Sequence, residues 1–249
     1  MYLNLNGESV YYQKIGKGKD LILLHGWKQD VSTWYPVIDL LKEDFVLWLI
    51  DLPGFGRSDL SKKALTPRDY SEIIFNFLKK NNLKKVDLLG HSLGGAIAIK
   101  IATDHPEVVN RLILEAPSGI RETKSLKKKV FFVLSKIFNL VVPNLLNLKQ
   151  TLRYKFYKSI NSDYLGANEL KGTLINILNE DISNELKKIS IDTLIIAGEK
   201  DGEIPLSVFK KMYKQIPNSR LEIFEDVGHF PHLESKERFT NYVKDFSTS

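Results

Sequence analysis

The hexapeptide Gly90-His91-Ser92-Leu93-Gly94-Gly95 constrains this chain more than any other stretch. It follows the largely apolar run Val86 to Leu89 directly and opens the alanine-rich, helix-like run Leu93 to Thr103, so a strand must turn into a helix at the serine. A residue held in that turn sits near the left-handed region with its hydroxyl presented outward, a conformation that carries strain. It needs neighbours without a Cβ, and Gly90 and Gly94 stand two residues to either side. Ser92 is therefore the candidate nucleophile, and Gly90, His91 and Gly94 form the turn that would present it.

Strand-like and helix-like segments alternate around this unit. Leu3 to Leu5 and Val10 to Ile15, separated by Asn6-Gly7, predict a hairpin. Leu21 to Leu24 and Phe45 to Ile50 read as short buried strands, with a helix from about Ser32 to Leu41 between them. Tyr70 to Lys80 carries apolar residues at helical spacing, and Arg111 to Glu115 is a further strand. Thr193 to Ala197, a helix from about Leu206 to Gln215, the strand Arg220 to Phe224 and a helix from about Ser235 to Phe246 complete the pattern. This alternation predicts an α/β fold with a mostly parallel, doubly wound sheet of eight strands. Residues 118–189 break the alternation and show helical periodicity, so they are expected to form an inserted helical cap on a core made of residues 1–117 and 190–249.

Composition narrows the classes available. A chain of 249 residues with 43% hydrophobic content can bury one substantial core. The absence of cysteine excludes disulfides, a thiolate nucleophile and cysteine metal sites, and fits a reducing, cytoplasmic setting. The polar, alternating start Met1 to Glu8 does not resemble an export signal. The longest apolar stretch, Val130 to Leu148, is interrupted by Lys136, Asn139, Pro143, Asn144 and Asn147, so no membrane span is expected. The formal charge of +6 is local: residues 118–189 hold 13 Lys and Arg against 6 Asp and Glu, while the rest of the chain nets −1. Such a distribution argues against a general nucleic-acid surface.

A serine hydroxyl is a weak nucleophile and needs a base, usually histidine, oriented by a carboxylate. Asp201 follows the strand Thr193 to Ala197 by four residues, and His229 follows Arg220 to Phe224 by five, which places both on loops at strand ends. Glu203 and Glu115 are alternative carboxylates, and His232 is an alternative base. Asp201 could serve only its Asp-Gly turn. His25 and His91, beside glycines, read as loop hydrogen-bonding groups, and His105 as a helix cap. No metal-ligand spacing and no glycine-rich phosphate loop is visible, so no metal and no cofactor is expected.

The order Ser92, Asp201, His229 is that of the α/β-hydrolase triad. Together with His25-Gly26-Trp27, the stretch Asp51 to Ser58, Gly198 to Asp201 and Gly228-His229, it makes the chain resemble the α/β-hydrolase superfamily over nearly its whole length, in the esterase and lipase-like branch with a cap after the sixth strand. The resemblance implies a serine hydrolase of carboxylic esters acting through an acyl-enzyme, with an oxyanion hole from the Trp27 and Leu93 amides and His25 and Gly26 as the supporting loop. A serine at the elbow separates it from the dehalogenases and epoxide hydrolases, which carry aspartate there. The implied partner is a small-molecule ester with a hydrophobic or acidic acyl group. Carbon-carbon hydrolysis, thioester hydrolysis and a low-turnover ligand-binding role are the alternatives. In the cap, the basic run Lys127-Lys128-Lys129 adjoins apolar residues from Val130 to Val142. These mark either a lid over the substrate or ordinary packing with a solvated face.

Overall fold

The computed structural model describes residues 1–5, 7–120 and 168–248. Eight strands form one sheet: β1 (Tyr2–Leu5), β2 (Glu8–Gly16), β3 (Lys19–Leu24), β4 (Phe45–Ile50), β5 (Val86–His91), β6 (Val109–Glu115), β7 (Thr193–Gly198) and β8 (Ser219–Phe224). Their order is β1-β2-β4-β3-β5-β6-β7-β8. The β1–β2 and β2–β4 pairs are antiparallel, and every pair from β4 through β3 to β8 is parallel. Among the described residues the helices are α1 (Tyr35–Leu41), α2 (Pro67–Lys80), α3 (Leu93–Asp104), α4 (Lys171–Asn179), α5 (Leu206–Gln215), α6 (Pro231–Glu234) and α7 (Lys236–Thr248).

The all-apolar strands are explained by burial on both faces. Along β3, Ile22 and Leu24 pack with α2 and α3 residues such as Phe77 and Ile97, while Leu21 and Leu23 pack on the opposite face with Val37 of α1 and Val243 of α7. Strand residues alternate between faces, so a strand covered by helices on both sides must be apolar at every position. Helix α3 lies against the sheet so closely that it is buried from Leu93 to Ala102. Buried within it, Lys100 is compensated by Glu185 and Glu180 at 2.5 and 2.9 Å, which ties the segment before β7 to the helix behind the elbow. Helix α2 starts three residues before the apolar periodicity, at a capping box in which Thr66 and Asp69 satisfy each other's backbone N–H, and Pro67 follows the cap. The expected helix at 32–41 is a 3-10 turn (Val31–Trp34) running into α1, the expected last helix is α7, and the short helix α6 precedes it where no helix was expected.

Of the expected cap, residues 121–167, including Lys127 to Lys129 and the apolar run beyond them, lie outside the described residues. The described remainder contains a 3-10 turn at Asn168–Leu170 and helix α4. Because the core strands are parallel, the segments leaving the carboxyl ends of β3, β5, β6, β7 and β8 gather at one edge of the sheet, the edge where such folds place their sites.

Candidate active site

The elbow is built by backbone crowding. Ser92 has φ 50° and ψ −111° and stands at the N-terminus of α3. A Cβ on Gly90 would lie 2.6 Å from the Gly94-Gly95 amide nitrogen, and one on Gly94 would lie 2.6 Å from the Leu24 carbonyl carbon at the end of β3. Both glycines are thus demanded by approaches that no side chain permits. Three backbone bonds hold the strained residue: Ser92 N–H donates to the Glu115 carbonyl (3.0 Å), and the Ser92 carbonyl accepts from Ala96 (3.2 Å) and Ser118 (3.0 Å). Leu93 is the first residue of α3, where backbone N–H groups have no partner within the helix and point out of its positive end.

The loop after β3 lies beside the nucleophile, since a Cβ on Gly26 would stand 3.2 Å from Ser92 Cβ and 3.0 Å from His91 Cδ2. His25 is fully buried and bridges two loops: Nδ1 bonds the Gly26 carbonyl (2.8 Å) and Nε2 accepts from Leu52 N–H (3.0 Å). Burial holds its pKa below the ordinary value. Trp27 meets Phe55 edge-to-face at 5.0 Å, which sets the indole at the rim of this loop. In the stretch Asp51 to Ser58, Asp51 accepts from the N–H of Val31 (2.7 Å) and of Arg57 (2.8 Å), so its role is to shape the neighbouring loop.

The structure brings Asp201 and His229 together. Asp201 Oδ2 bonds His229 Nδ1 at 2.8 Å, while Oδ1 accepts from Glu203 N–H (2.8 Å) and Ile204 N–H (2.9 Å). Burial raises the carboxyl's pKa, but the bond to His229 and the two N–H donors outweigh it and hold Asp201 below its usual value. Burial likewise opposes charge on His229, yet the hydrogen bond and charge of Asp201, with Glu203 and Glu115 behind it, raise this histidine above its ordinary pKa. An imidazole whose Nδ1 proton is given to a carboxylate presents Nε2 as a base. The ring stands 4.9 Å, centroid to centroid, from that of His91, the residue before Ser92.

The two rivals pair with each other. Glu115, at the end of β6, accepts from both the backbone N–H (2.7 Å) and Nδ1 (2.8 Å) of His232, whose Nε2 bonds Thr33 Oγ at 2.9 Å. Both residues are 0% exposed. His91 lies against the end of β6. Its Nδ1 is buried without a hydrogen-bond partner, 3.6 Å from the equally unpartnered Glu115 Oε2, and burial drives its pKa far down. Ligand-type atoms of His91, Glu115 and His232 fall within 4.8 Å of one another, a convergence that sequence spacing did not reveal. Both ring nitrogens of His232 are already engaged, so the group is a hydrogen-bonded pair with a third ring against it. His105 stacks on Phe75 at 3.6 Å and bonds Glu72 at the end of α3, away from this edge.

Sequence reasoning missed Glu234. Its carboxylate accepts from the N–H of Gly228 (2.7 Å) and of Phe230 (3.0 Å), the two residues that flank His229. No local pattern announces this contact, because the short helix α6 must first turn Glu234 back onto the loop. A signal did exist for the Glu115–His232 pair: a carboxylate ending the buried apolar run Leu112 to Leu114 needs a partner.

The fold and this edge of it define a class. Residues 21–241 match the α/β hydrolase family. Curated relatives of the chain include the pimeloyl-[acyl-carrier protein] methyl ester esterases of Proteus mirabilis, 31% identical over 93% of this chain and 94% of the relative, and of Aliivibrio fischeri, 28% identical over 96% and 97%. Among solved structures, an esterase from Exiguobacterium antarcticum superposes with a TM-score of 0.77 at 26% identity, covering 98% of this chain and 97% of its own. The chain belongs to the α/β hydrolase family.

Proposed function

We propose that this protein hydrolyses carboxylic esters by an acyl-enzyme route, with Ser92 as nucleophile, His229 as base and Asp201 as the group that orients it. The observation that carries this reading is the Asp201-bound His229 on the sheet edge where the strained elbow presents Ser92. Ser92 Oγ attacks the ester carbonyl as His229 Nε2 takes its proton. The negative oxygen of the tetrahedral intermediate accepts from the amides of Leu93 and Trp27, the assigned oxyanion donors. Loss of one such donor typically raises the barrier by about 3 kcal/mol. The carbon–oxygen bond to the alcohol then breaks, Nε2 returns the proton to the departing alkoxide, and water repeats the sequence to free the acid and Ser92.

The esterase relatives, two of which are named for a methyl ester, support an ester of a small alcohol as the substrate class. The net +7 of residues 118–189 supports a cap that receives a hydrophobic or acidic acyl group. Among the described residues no helix is long and apolar enough to cross a membrane, and the cysteine-free composition supports a cytoplasmic setting. A panel of p-nitrophenyl esters, matched acyl thioesters and ring-cleavage diketones, run against wild type and Ser92→Ala, tests the reading. Turnover should be highest on the esters and vanish in the variant. Full ester hydrolysis by Ser92→Ala would overturn it.

A further inference from the structure

Glu203 sits at the working face of the proposed base. Asp201 occupies Nδ1 of His229 at 2.8 Å, and the Glu203 carboxylate stands 3.5 Å from Nε2, the nitrogen that must hand a proton to the leaving alcohol. The position is built by the backbone. Glu203 N–H and Ile204 N–H both donate to Asp201 Oδ1, and Pro205 caps helix α5 immediately beyond, so the main chain at Glu203 is fastened to the same aspartate that orients His229. Only the side chain itself is free to turn, and it is 65% exposed.

We propose that Glu203 is a specificity-determining residue that sorts substrates by the charge of their alcohol, favouring cationic alcohols over neutral ones and neutral over anionic. The inference rests on His229 being the base. In that reaction the alkoxide oxygen leaves from Nε2, so a substituent two or three bonds from it emerges against the Glu203 carboxylate. A positive group there meets an unlike charge, and a negative group meets a like one. The other groups facing His229 do not act on the alcohol in this way. Asp201 is bound at Nδ1, on the other side of the ring, Glu115 is fully buried and holds His232 through Oε1, His232 is committed to Glu115 and Thr33, and His91 and Phe230 present rings at 4.9 and 5.1 Å. Glu203 is the carboxylate at Nε2 among the described residues. The same placement favours protonated His229 in the free enzyme, so Glu203 also bears on the acid limb of the pH profile.

The test compares a choline ester with its uncharged isostere, the 3,3-dimethylbutyl ester of the same acid, and with the matching glycolate ester, on wild type and Glu203→Gln. Because the carboxylate is solvent-exposed, effects of a few-fold are expected. The choline to dimethylbutyl ratio of kcat/KM should fall about threefold in Glu203→Gln, and the dimethylbutyl to glycolate ratio should fall as well. Glu203→Asp should retain part of the preference, and 1 M salt should erase the difference between wild type and Glu203→Gln. The acid limb of kcat/KM should move to lower pH, since removing the negative charge makes neutral His229 available at lower pH. Unchanged ratios together with an unmoved limb would overturn the proposal. That result differs from failure of the esterase reading, in which turnover would persist in Ser92→Ala.

Discussion

Two carboxylate–histidine pairs lie a few ångströms apart in this protein, and the contrast between them shows what makes such a pair chemically useful. Asp201–His229 and Glu115–His232 have the same Nδ1-to-oxygen distance of 2.8 Å. They differ at the other nitrogen. His232 commits Nε2 to Thr33 and lies tilted against Trp34 at 4.6 Å, fully buried, so it has no free nitrogen for a substrate proton. His229 leaves Nε2 facing the exposed Glu203 carboxylate at 3.5 Å. The carboxylates differ too: Asp201 is satisfied by His229 and two backbone donors, whereas Glu115 Oε2 has no hydrogen-bond partner. In the proposed reaction the first pair exchanges a proton. The other fastens the end of β6 to the helix that follows the His229 loop, and it pays in stability what the first repays in reactivity.

That contrast can be broken from either side. The largest effect is expected at the open pair: His229→Ala or Asp201→Asn should lower kcat on p-nitrophenyl esters by about 10⁴-fold, with little change in the urea midpoint. A comparable loss in Glu115→Gln would erase the distinction. Next comes the closed pair. Glu115→Ala leaves His232 buried without its acceptor and should reduce folding stability by about 3 kcal/mol, read from urea titrations, while folded enzyme keeps most of its kcat. Third, Glu234→Ala removes both donors' anchor beside His229 without touching substrate. It should lower kcat by about tenfold through misplacement of the base, with KM nearly constant, and Glu234→Gln should recover part of the loss.

The smallest effect is on pH dependence of stability, and its sign separates the histidines. His229 has a raised folded pKa, so it contributes stability below about pH 6.5, the unfolded value, and loses it as pH rises through the folded value. His25 and His91 have lowered values, so the unfolded chain binds their protons first and stability falls as pH drops below the same point. These contributions oppose each other in the wild type. In His229→Asn only the destabilising pair remains, and the melting temperature should fall more steeply between pH 7.5 and 5.5 than in wild type. An unchanged slope would show that His229 is not charged preferentially in the folded state.

Much of the fold was legible because its causes are local. The apolar runs of β3 to β7 exist because each strand is covered on both faces, and Gly90, Ser92 and Gly94 announce the elbow because only that residue pattern survives its crowding. Helix ends were less legible where capping chemistry lies outside the apolar period, as at Thr66 and Asp69 around the first turn of α2. Lys100 was not readable as a buried residue, because its partners Glu180 and Glu185 are 80 or more positions away.

The chain's order of residue types determined, without any coordinates, that a serine would be presented at a strand-to-helix turn and that Asp201 and His229 were available at strand ends to serve it. Which carboxylate meets which histidine was another matter. Asp201, Glu203 and Glu115 were all eligible for His229, and His232 was eligible as base, since sequence position limits which sheet edge a loop reaches but not where its side chain ends. Only tertiary packing assigned Asp201 to Nδ1 of His229, Glu203 to its Nε2 and Glu115 to His232, because partner choice depends on distances of a few ångströms between segments up to 117 residues apart.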